Sequence, residues 1–304
     1  MMQSLIRWVV MSVVMFGLVG MGWSVDVVER KKKEAEVVRL KVMSFNIRYA
    51  TESDRENQWE YRKRLVVDVI KKQDPDVLGV QEALSEQWNY LRGKLKGYGY
   101  IGAGRDDGRS QGEACGIYFK RKRVKLIGKG HVWLSEKPTK PGSKGWDSSL
   151  PRMFTWVKLK DVKAKETVWV INTHWDHRGK KAREESAKLI TQWVEKAVKG
   201  EWGKKRVVVM GDMNSTETSK PIQVMNEKFA DAYRELNEKS ADEGTFNGFA
   251  ELTDGKRIDY VFSDGGLKVV SAVVDYTSQK DERSGKTRLP SDHYPVVVEF
   301  EYVE

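Results

Sequence analysis

The feature that most constrains the fold is an apolar run that is followed at once by short polar side chains. Residues 207–214 read VVVMGDMN, and such a run of largely β-branched residues is typical of a strand buried on both faces. Gly211 would let the backbone bend or let a ligand approach closely. Asp212 and Asn214 then stand at the end of a rigid core element, which can hold a site. A simple turn is the competing interpretation, because Asp and Asn both favour turns.

Strands that end or begin in acid, amide or imidazole groups recur at separated places in the chain. The polar residues at these positions are Asn46, Glu82, His174, Asp212, Asn214, Asp259, Asp292 and His293. Carboxylate and amide oxygens that converge on one crevice suit a hard divalent cation. The sequence has no cysteine cluster and no HExxH motif, which argues against a dedicated zinc site.

Helix-period patterns alternate with the strand patterns and predict an α/β fold. Apolar residues at helical spacing predict helices over 59–73 and 179–199, a helix capped by Ser85, and a short helix over 221–229. The region 98–165 has the pattern of hairpins and loops. With no linker-like composition and no internal repeat, residues 37–304 are predicted to form one domain.

The first residues have the pattern of a targeting segment. One arginine precedes an apolar run that ends in small residues near Ser24, which favours a signal peptide over 1–24. An uncleaved membrane anchor is the alternative, since the run lies near the lower length limit for a spanning helix. Residues 25–36 are predicted to be a charged spacer. The protein is therefore expected to be exported, either periplasmic or extracellular, and Cys115 has no partner for a disulfide.

The charge balance points to anionic partners. The chain has 54 Lys and Arg against 44 Asp and Glu, a formal net charge of +10. A basic surface attracts phosphoesters, nucleic acid or anionic membranes, although a solvated lysine-rich surface explains the same excess. Glycines around Arg105 and Arg109 predict a flexible basic segment that could close over an anion. No GxSxG elbow or Walker loop is present, which disfavours acyl transfer by serine and nucleotide-driven transfer.

Three of the four histidines lie in the polar strand-end segments. That placement makes a catalytic histidine plausible, because imidazole titrates near neutral pH. His131 has no polar partner nearby in the sequence, and we interpret it as a structural or surface residue.

The ordered set FNIR, VQE, NTHWDH, GDMN, RIDY and SDHYPV resembles the endonuclease/exonuclease/phosphatase superfamily. The match runs from Val38 to Phe300 and is most similar to an exported bacterial branch whose substrates are generally unassigned. The resemblance implies a four-layer α/β sandwich, in which two mixed β-sheets pack face to face with helices outside and the site lies at one end.

The resemblance also assigns roles to individual residues. Magnesium or manganese would be bound by Glu82, with Asn46 beside it and Asp292 near the metal. Asp212 and Asn214 would activate and orient the attacking water, His293 would contact the scissile phosphate, Asp259 would orient His293, and His174 would stabilise the phosphoryl oxygens. Glu113 as the residue that orients His174, and Arg152 as a phosphate ligand, are further candidates.

The expected function is therefore a metal-dependent phosphoester hydrolase. In-line attack by water needs a base, which Asp212 supplies, and positive charge, which the metal and both histidines would supply. The substrate would be nucleic acid, a sugar phosphate or a lipid headgroup, with the protein a monomer that needs no protein partner. Two alternatives stay open: a catalytically silent binding module for a phosphorylated ligand, and a sphingomyelinase-like lipid phosphodiesterase.

Overall fold

A computed structural model of the chain describes residues 37–199, 206–280, 285 and 287–303. Residues Val37–Glu304 form one compact unit. The predicted signal peptide and charged spacer lie outside the described residues and stay predictions. Among the residues described, no helix combines the length and the apolar character that crossing a membrane would require.

Strands and helices alternate in the first and central parts of the chain. The helices are α1 (Trp59–Gln73), α2 (Ser85–Lys94), α3 (Lys180–Ala197) and α4 (Lys220–Asn226). The strands are β1 (Arg39–Asn46), β2 (Val77–Ala83), β3 (Tyr98–Ile101), β4 (Ala114–Lys120), β5 (Val124–Trp133), β6 (Met153–Asp161), β7 (Thr167–His174), β8 (Val207–Asp212), β9 (Ala230–Asp231), β10 (Asp259–Ser263), β11 (Leu267–Val274), β12 (Gln279–Lys280), β13 (Thr287–Arg288) and β14 (Val296–Tyr302).

Two six-stranded mixed sheets contain most of these strands, and β12 pairs with β13 in a separate two-stranded ribbon. The first sheet has the strand order β11-β14-β1-β2-β4-β3, and the second has the order β5-β6-β7-β8-β10-β9. In each sheet one central pair is parallel, β1 with β2 and β7 with β8, and the other pairs are antiparallel. A parallel pair needs a crossover, which α1 provides in the first sheet and α3 in the second.

Apolar side chains form three buried clusters, and together these define four layers. One cluster lies between the sheets and includes Leu40, Val42, Val170 and Val208. The second packs the first sheet against α1 and α2, and the third packs the second sheet against α3 and α4. The predicted sandwich, with two mixed sheets inside and helices outside, is confirmed.

Polar side chains join the two sheets inside the core. The Gln81 amide on β2 donates to Asn172 Oδ1 on β7 at 2.6 Å, and both residues are fully buried. Asn172 in turn donates to the backbone carbonyls of Val80 and Gly116 in the first sheet, at 2.9 and 2.8 Å. A side chain at Gly79 would collide with Asn172, since a Cβ there would lie 2.9 Å from its Cγ. The missing side chain therefore lets the sheets approach closely enough to bond.

The predicted helices are confirmed in place, with small differences at their ends. The helix over 59–73 has those bounds, whereas α3 and α4 are shorter than expected. Ser85 is the first residue of α2 and not its cap, because the N-cap position is Leu84 and the Gln87 side chain bonds back to its backbone N–H. The start of a short helix depends on side-chain to backbone hydrogen bonds of this kind, which composition alone does not specify.

Gly211 is required by its neighbour strand and not by a ligand. Its φ is +145°, and a Cβ would lie 1.9 Å from the Thr173 carbonyl oxygen on β7. We expect Gly211→Ala to lower the free energy of unfolding by about 2 kcal/mol or more, since both the backbone conformation and the contact are unfavourable. Urea denaturation followed by tryptophan fluorescence measures this change.

Gly97→Ala is the matched control, because nothing lies within 4 Å of a Cβ at that position. The control should change the free energy of unfolding by no more than about 0.5 kcal/mol. Equal stability of the two variants would contradict this account of Gly211.

Candidate active site

The carboxyl ends of the two parallel strand pairs meet at one end of the sandwich. Asn46 ends β1 and pairs with Gln81 of β2, while His174 ends β7 and pairs with Asp212, the last residue of β8. Asp259 begins the antiparallel strand β10 and also pairs with Asp212. Both sheets therefore place polar residues at the same edge. The crossover helices α1 and α3 pack on the outer faces of the two sheets.

Asn46 links the two sheets at this edge. Its amide nitrogen donates to Glu82 Oε1 at 3.0 Å in its own sheet and to Asp212 Oδ2 at 3.0 Å in the facing sheet. Its oxygen accepts a bond from the backbone N–H of Arg48 at 3.0 Å. One fully buried amide thus fixes the two predicted functional carboxylates relative to each other.

Glu82 lies in a β-bulge within β2 and not simply at the strand end. The pairing of β2 with β4 shifts register between Val80 and Ala83, and Glu82 has a φ of +61°. A bulge redirects a side chain relative to the regular alternation of the strand. Here it aims the carboxylate at Asn46, and Glu82 Oε2 also accepts the backbone N–H of Tyr49 at 3.1 Å.

Asp212 is buried with only 1% of its surface exposed. Its Oδ1 accepts the backbone N–H of Asn214 at 2.8 Å. Burial, with the negative charge of Asp259, raises the pKa of Asp212 to about 7. A carboxylate with that pKa can accept a proton near neutral pH.

His293 and Asp259 form a buried pair next to Asp212. The His293 Nδ1 lies 2.8 Å from Asp259 Oδ2, and its Nε2 lies 3.8 Å from Asp212 Oδ2. Burial lowers the pKa of His293, but the carboxylates of Asp259 and Asp212 outweigh burial and hold the pKa well above its usual range. His293 is therefore an imidazolium at neutral pH, and its Nε2–H is available for an anion. Thr245 Oγ1 fixes the start of β10 by accepting the backbone N–H of Asp259 at 3.1 Å.

His174 is neutral, unlike His293. Burial, together with the positive charges of Arg152 and Arg105, lowers the pKa of His174 well below its usual value. Asn214 Nδ2 donates to the Trp175 carbonyl and lies 3.0 Å from His174 Nε2. An amide nitrogen only donates, so His174 Nε2 accepts and its proton is on Nδ1. The expectation that both histidines supply positive charge is thus wrong for His174.

Glu113 does not hydrogen-bond to His174. The closest approach of the two, Glu113 Oε2 to His174 Nδ1, is 3.9 Å, and the Nδ1 atom is buried without a hydrogen-bond partner. Both oxygens of Glu113 instead accept from the Arg105 guanidinium, at 2.6 and 2.7 Å. Arg105 is only 8% exposed, so this residue is not part of a flexible segment that closes over an anion. Helix and strand periodicity carries no signal for this pair, because both partners lie in the irregular loop between β3 and β4.

Arg152 lies at the site, as predicted. Its guanidinium contacts Asp176 and His177. It is 4% exposed, with its Nε 3.4 Å from Asp176 Oδ2 and its Nη2 3.0 Å from His177 Nδ1. Its Nη1 is buried and has no hydrogen-bond partner among the described residues. That nitrogen is an unused donor in a residue that lines the cavity.

Asp292 completes the acidic side of the site. Burial, with the negative charge of Glu82, raises its pKa, while the positive charge of His293 works in the opposite direction. Its Oδ2 lies 3.8 Å from Arg48 Nε. The backbone carbonyl of Asp292 accepts from Asn247 and Gly248, at 2.8 and 3.1 Å, so the loop 245–248 supports this segment.

A fully buried arginine positions two of the site loops. Arg62 of α1 donates through its guanidinium to the backbone carbonyls of Ile47, Arg48, Tyr49, Asn57 and Pro290. Burial lowers its pKa to about 10, which leaves it charged at neutral pH. It thereby ties the loop after β1 to the segment that precedes Asp292. The sequence held a weak signal for this role, because Arg62 lies on the apolar face of α1 together with Val66.

These residues surround one cavity of about 1130 Å³. Eight of the ten candidate residues from the sequence line it, namely Glu82, Glu113, Arg152, His174, Asp212, Asn214, Asp292 and His293. Asn46 and Asp259 stand behind this lining, against Asp212 and His293. Phe246, which sequence reasoning missed, also lines the cavity and packs its ring edge-on against His293 with the ring centroids 5.1 Å apart.

The model of the Endonuclease/Exonuclease/phosphatase family matches residues 43–293 of the chain. The chain belongs to this family. Members of the family are phosphoester hydrolases, and they generally depend on a divalent metal.

Solved family structures share the fold over nearly their whole length. A family protein from Bacteroides thetaiotaomicron is 32% identical with a TM-score of 0.81, and the alignment covers 88% of this chain and 97% of that one. A mannosyl-6-phosphatase of the same organism is 33% identical with a TM-score of 0.80, over 86% of this chain and 100% of that one.

The chain also matches a larger yeast protein. The Ccr4 exoribonuclease subunit of the Saccharomyces cerevisiae CCR4-Not complex is 24% identical over 81% of this chain, and the match spans 36% of the yeast protein. The chain therefore corresponds to about a third of that relative.

The family's divalent cation fits the residues that are present. Glu82, His174 and Asp212 place one potential ligand atom each within 4.8 Å of one another, as do Asp212, Asp259 and His293. Glu82 raises the pKa of Asp292, which shows that the two carboxylates repel. A cation between oxygen ligands would relieve that repulsion, and hard cations prefer such ligands. The predicted set of Glu82, Asn46 and Asp292 is thus chemically suitable for Mg²⁺ or Mn²⁺.

The raised pKa of Asp212 has a consequence for stability. The folded state keeps a proton on Asp212 up to about pH 7, whereas an unfolded aspartic acid loses it near pH 4, so stability decreases as pH rises between these values. Asp212→Asn removes that cost. We expect the variant to melt at least about 3 °C above the parent near pH 8 in chelator, with a smaller gain near pH 5. Differential scanning fluorimetry measures both.

Asp68→Asn is the control, because Asp68 is an exposed residue of α1. It should melt with the parent at both pH values. An Asp212→Asn protein that is less stable than the parent at the higher pH would show that the site does not disfavour the charge of Asp212.

Proposed function

We propose that this protein hydrolyses phosphate esters by attack of an activated water on phosphorus, with Mg²⁺ or Mn²⁺ as its cofactor. The observation that carries the proposal is the convergence of a base, an imidazolium and an acidic ligand set from both sheets on one cavity. Asp212 is the base, His293 paired with Asp259 is the imidazolium, and Glu82, Asn46 and Asp292 form the ligand set. A binding module would have no use for this combination.

Asp212 takes the proton from the attacking water. Its pKa near 7 leaves a substantial fraction ionised at neutral pH while it still accepts a proton readily. The bond from the Asn214 backbone to Oδ1 and the bond from Asn46 to Oδ2 fix the carboxylate plane. The proton-accepting group is therefore oriented before substrate binds, which avoids reorganisation during the reaction.

His293 stabilises the charge that develops on the phosphoryl oxygens. Asp259 binds its Nδ1, so the Nε2–H is the group that can donate to the phosphate. The unused Nη1 donor of Arg152, which lines the same cavity, would supply a second positive contact. His174 does not add charge, and its role is to hold the Asn214 amide beside Asp212.

A divalent cation bound by Glu82, Asn46 and Asp292 would supply further positive charge at the phosphate and would favour ionisation of water. The Asn46 amide would position the ligands of this cation. Its nitrogen holds Glu82, and its oxygen is left for the cation or for the Arg48 backbone N–H.

We infer that the substrate is a small phosphomonoester such as a sugar phosphate. The mannosyl-6-phosphatase relative supports this inference, because the match covers all of that protein at 33% identity. The Ccr4 relative, an exoribonuclease subunit, is 24% identical and is matched over 36% of its length. Phosphodiesters, including RNA, are therefore the second class to test. The apolar N-terminal segment supports export, so the enzyme would act outside the cytoplasm.

Two substitutions test the catalytic roles. Asp212→Asn removes the base, and His293→Ala removes the imidazolium, so each should lower kcat/KM on the best substrate by about a hundredfold or more. Circular dichroism and melting curves should show that both variants stay folded.

Asp254→Asn is the matched control, because Asp254 lines the same cavity and the substitution removes the same charge. It should keep kcat/KM within about threefold of the parent, since an exposed charge contributes little to a buried centre. Activity of Asp212→Asn within a few-fold of the parent would exclude Asp212 as the base.

Metal dependence and substrate class can be tested together. The panel is a hexose phosphate, a nitrophenyl monoester, a nitrophenyl diester, RNA, DNA and sphingomyelin, each with magnesium, with manganese or with chelator. We expect turnover of phosphomonoesters that disappears in chelator and returns when metal is added. Faster turnover of RNA or sphingomyelin would contradict the substrate class, and turnover that chelator leaves unchanged would contradict the cofactor.

A further inference from the structure

The cavity continues past the catalytic residues along the start of α3. His177 and Arg178 precede this helix and are exposed, and Arg183 lies in its first turns and is half-buried. All three line the cavity together with Arg152. We call Arg152, His177, Arg178 and Arg183 the cationic wall. It differs in charge from the acidic ligand set of the site.

Nearby carboxylates pair with Arg152 of this wall, through Asp176 Oδ2 at 3.4 Å, but not with Arg178 or Arg183. Asp176 Oδ1 accepts the backbone N–H groups of Arg178 and Gly179, at 3.0 and 2.7 Å. Asp147 accepts backbone N–H groups in the first turn of α3, the nearest at 2.6 Å. Over the described ranges, neither Arg178 nor Arg183 has a carboxylate oxygen within the 4.0 Å limit of an ion pair. Asp147 is engaged by the backbone, and Asp176 by the backbone, Ser149 and Arg152, so the guanidinium groups of Arg178 and Arg183 have no carboxylate partner at this distance.

The wall is also held in place. Arg183 Nη1 donates to the Asp176 carbonyl oxygen at 2.8 Å, which restrains its guanidinium. Arg152 is 4% exposed and its Nη2 donates to His177 Nδ1, because arginine only donates. His177 therefore carries its proton on Nε2 and is a neutral donor. The buried, unpartnered Nη1 of Arg152 lies in the same wall.

One phosphoryl group does not account for all of these donors. The proposed function already assigns His293 and Arg152 to the reacting phosphate, and Arg178 and Arg183 at the start of α3 are additional donors in the same cavity. Guanidinium groups match carboxylate and phosphate oxygens through paired hydrogen bonds. Two guanidinium groups with no carboxylate partner in the described part of the chain, in a cavity that can hold more than a phosphate, point to an additional anionic part of the substrate.

We propose that Arg178, Arg183 and His177 form a subsite for a second anionic group, a phosphate or a carboxylate, on the portion of the substrate that leaves as the alcohol. The inference rests on the proposed function and narrows its substrate class to small phosphomonoesters that carry another acidic group. His177 contributes a neutral donor, so the subsite charge comes from the two arginines. The hydrolysed phosphate and the second anion would then occupy opposite ends of one cavity.

The test is calorimetric binding to the Asp212→Asn protein in chelator, which needs no turnover. The probes are a hexose monophosphate, a hexose bisphosphate and a phosphorylated aldonic acid, the last of which replaces the second phosphate by a carboxylate. We expect at least one of the two probes that carry a second acidic group to bind about tenfold or more tightly than the hexose monophosphate. Adding Arg178→Gln and Arg183→Gln should remove that preference and leave monophosphate binding within about threefold.

Lys180→Gln with Lys181→Gln is the matched control, because it removes two positive charges from exposed residues of the same helix start. The control should keep the preference. Equal binding of all three probes, or loss of the preference in the lysine control, would overturn the subsite. The proposed function has its own test: it is wrong if the parent protein with metal hydrolyses none of the phosphoesters in the panel.

Discussion

The hydrogen bond between Gln81 and Asn172 is the contact on which the rest of the site depends. It joins the two sheets in the core, and each partner lies within two residues of a functional group, Glu82 on one side and His174 on the other. Breaking it would leave buried amide atoms unpaired, which is costly away from water. Asn46 repeats the connection at the rim of the same edge by bonding both Glu82 and Asp212. The site is therefore built at a joint between the sheets, and its geometry is as rigid as the core.

Carboxylates lie close together where the two sheets join. Their mutual repulsion lowers the stability of the folded protein. Asp212 is buried beside Asp259, which raises its pKa, and Asp292 is buried beside Glu82. Burial, together with the positive charges of Arg152 and Arg105, keeps His174 neutral, although its Nε2 lies only 3.5 Å from Asp212 Oδ2. Neighbouring side chains of one cavity therefore differ in protonation, because environment and not residue type sets the protonation of each.

Much of this arrangement could be predicted from the sequence, and the failures share one cause. Polar residues beside strand ends predicted the convergence at Asp212 and His293, since β8 ends at this edge and β14, which runs antiparallel to β1, begins there. The amphipathic pattern placed α1 correctly. What failed depends on contacts that sequence periodicity does not specify: Glu113 binds Arg105 of its own loop and not His174, and the bulge that turns Glu82 requires its partner strand. Local pattern contains no information about either contact.

Arg62 has a further consequence because, within the described residues, the hydrogen bonds of its guanidinium all go to main-chain oxygens. It holds the loop after β1 and the segment before Asp292 through carbonyl groups, which every amino acid supplies. The side chains of those loops can therefore diverge while the backbone path stays fixed. Tyr49, which lines the cavity, is held in this way through its backbone, whereas the Arg48 side chain is also fixed by an ion pair with Asp54 at 2.8 Å. A single buried cation thus fixes the backbone at two parts of the site without requiring particular side chains in either segment.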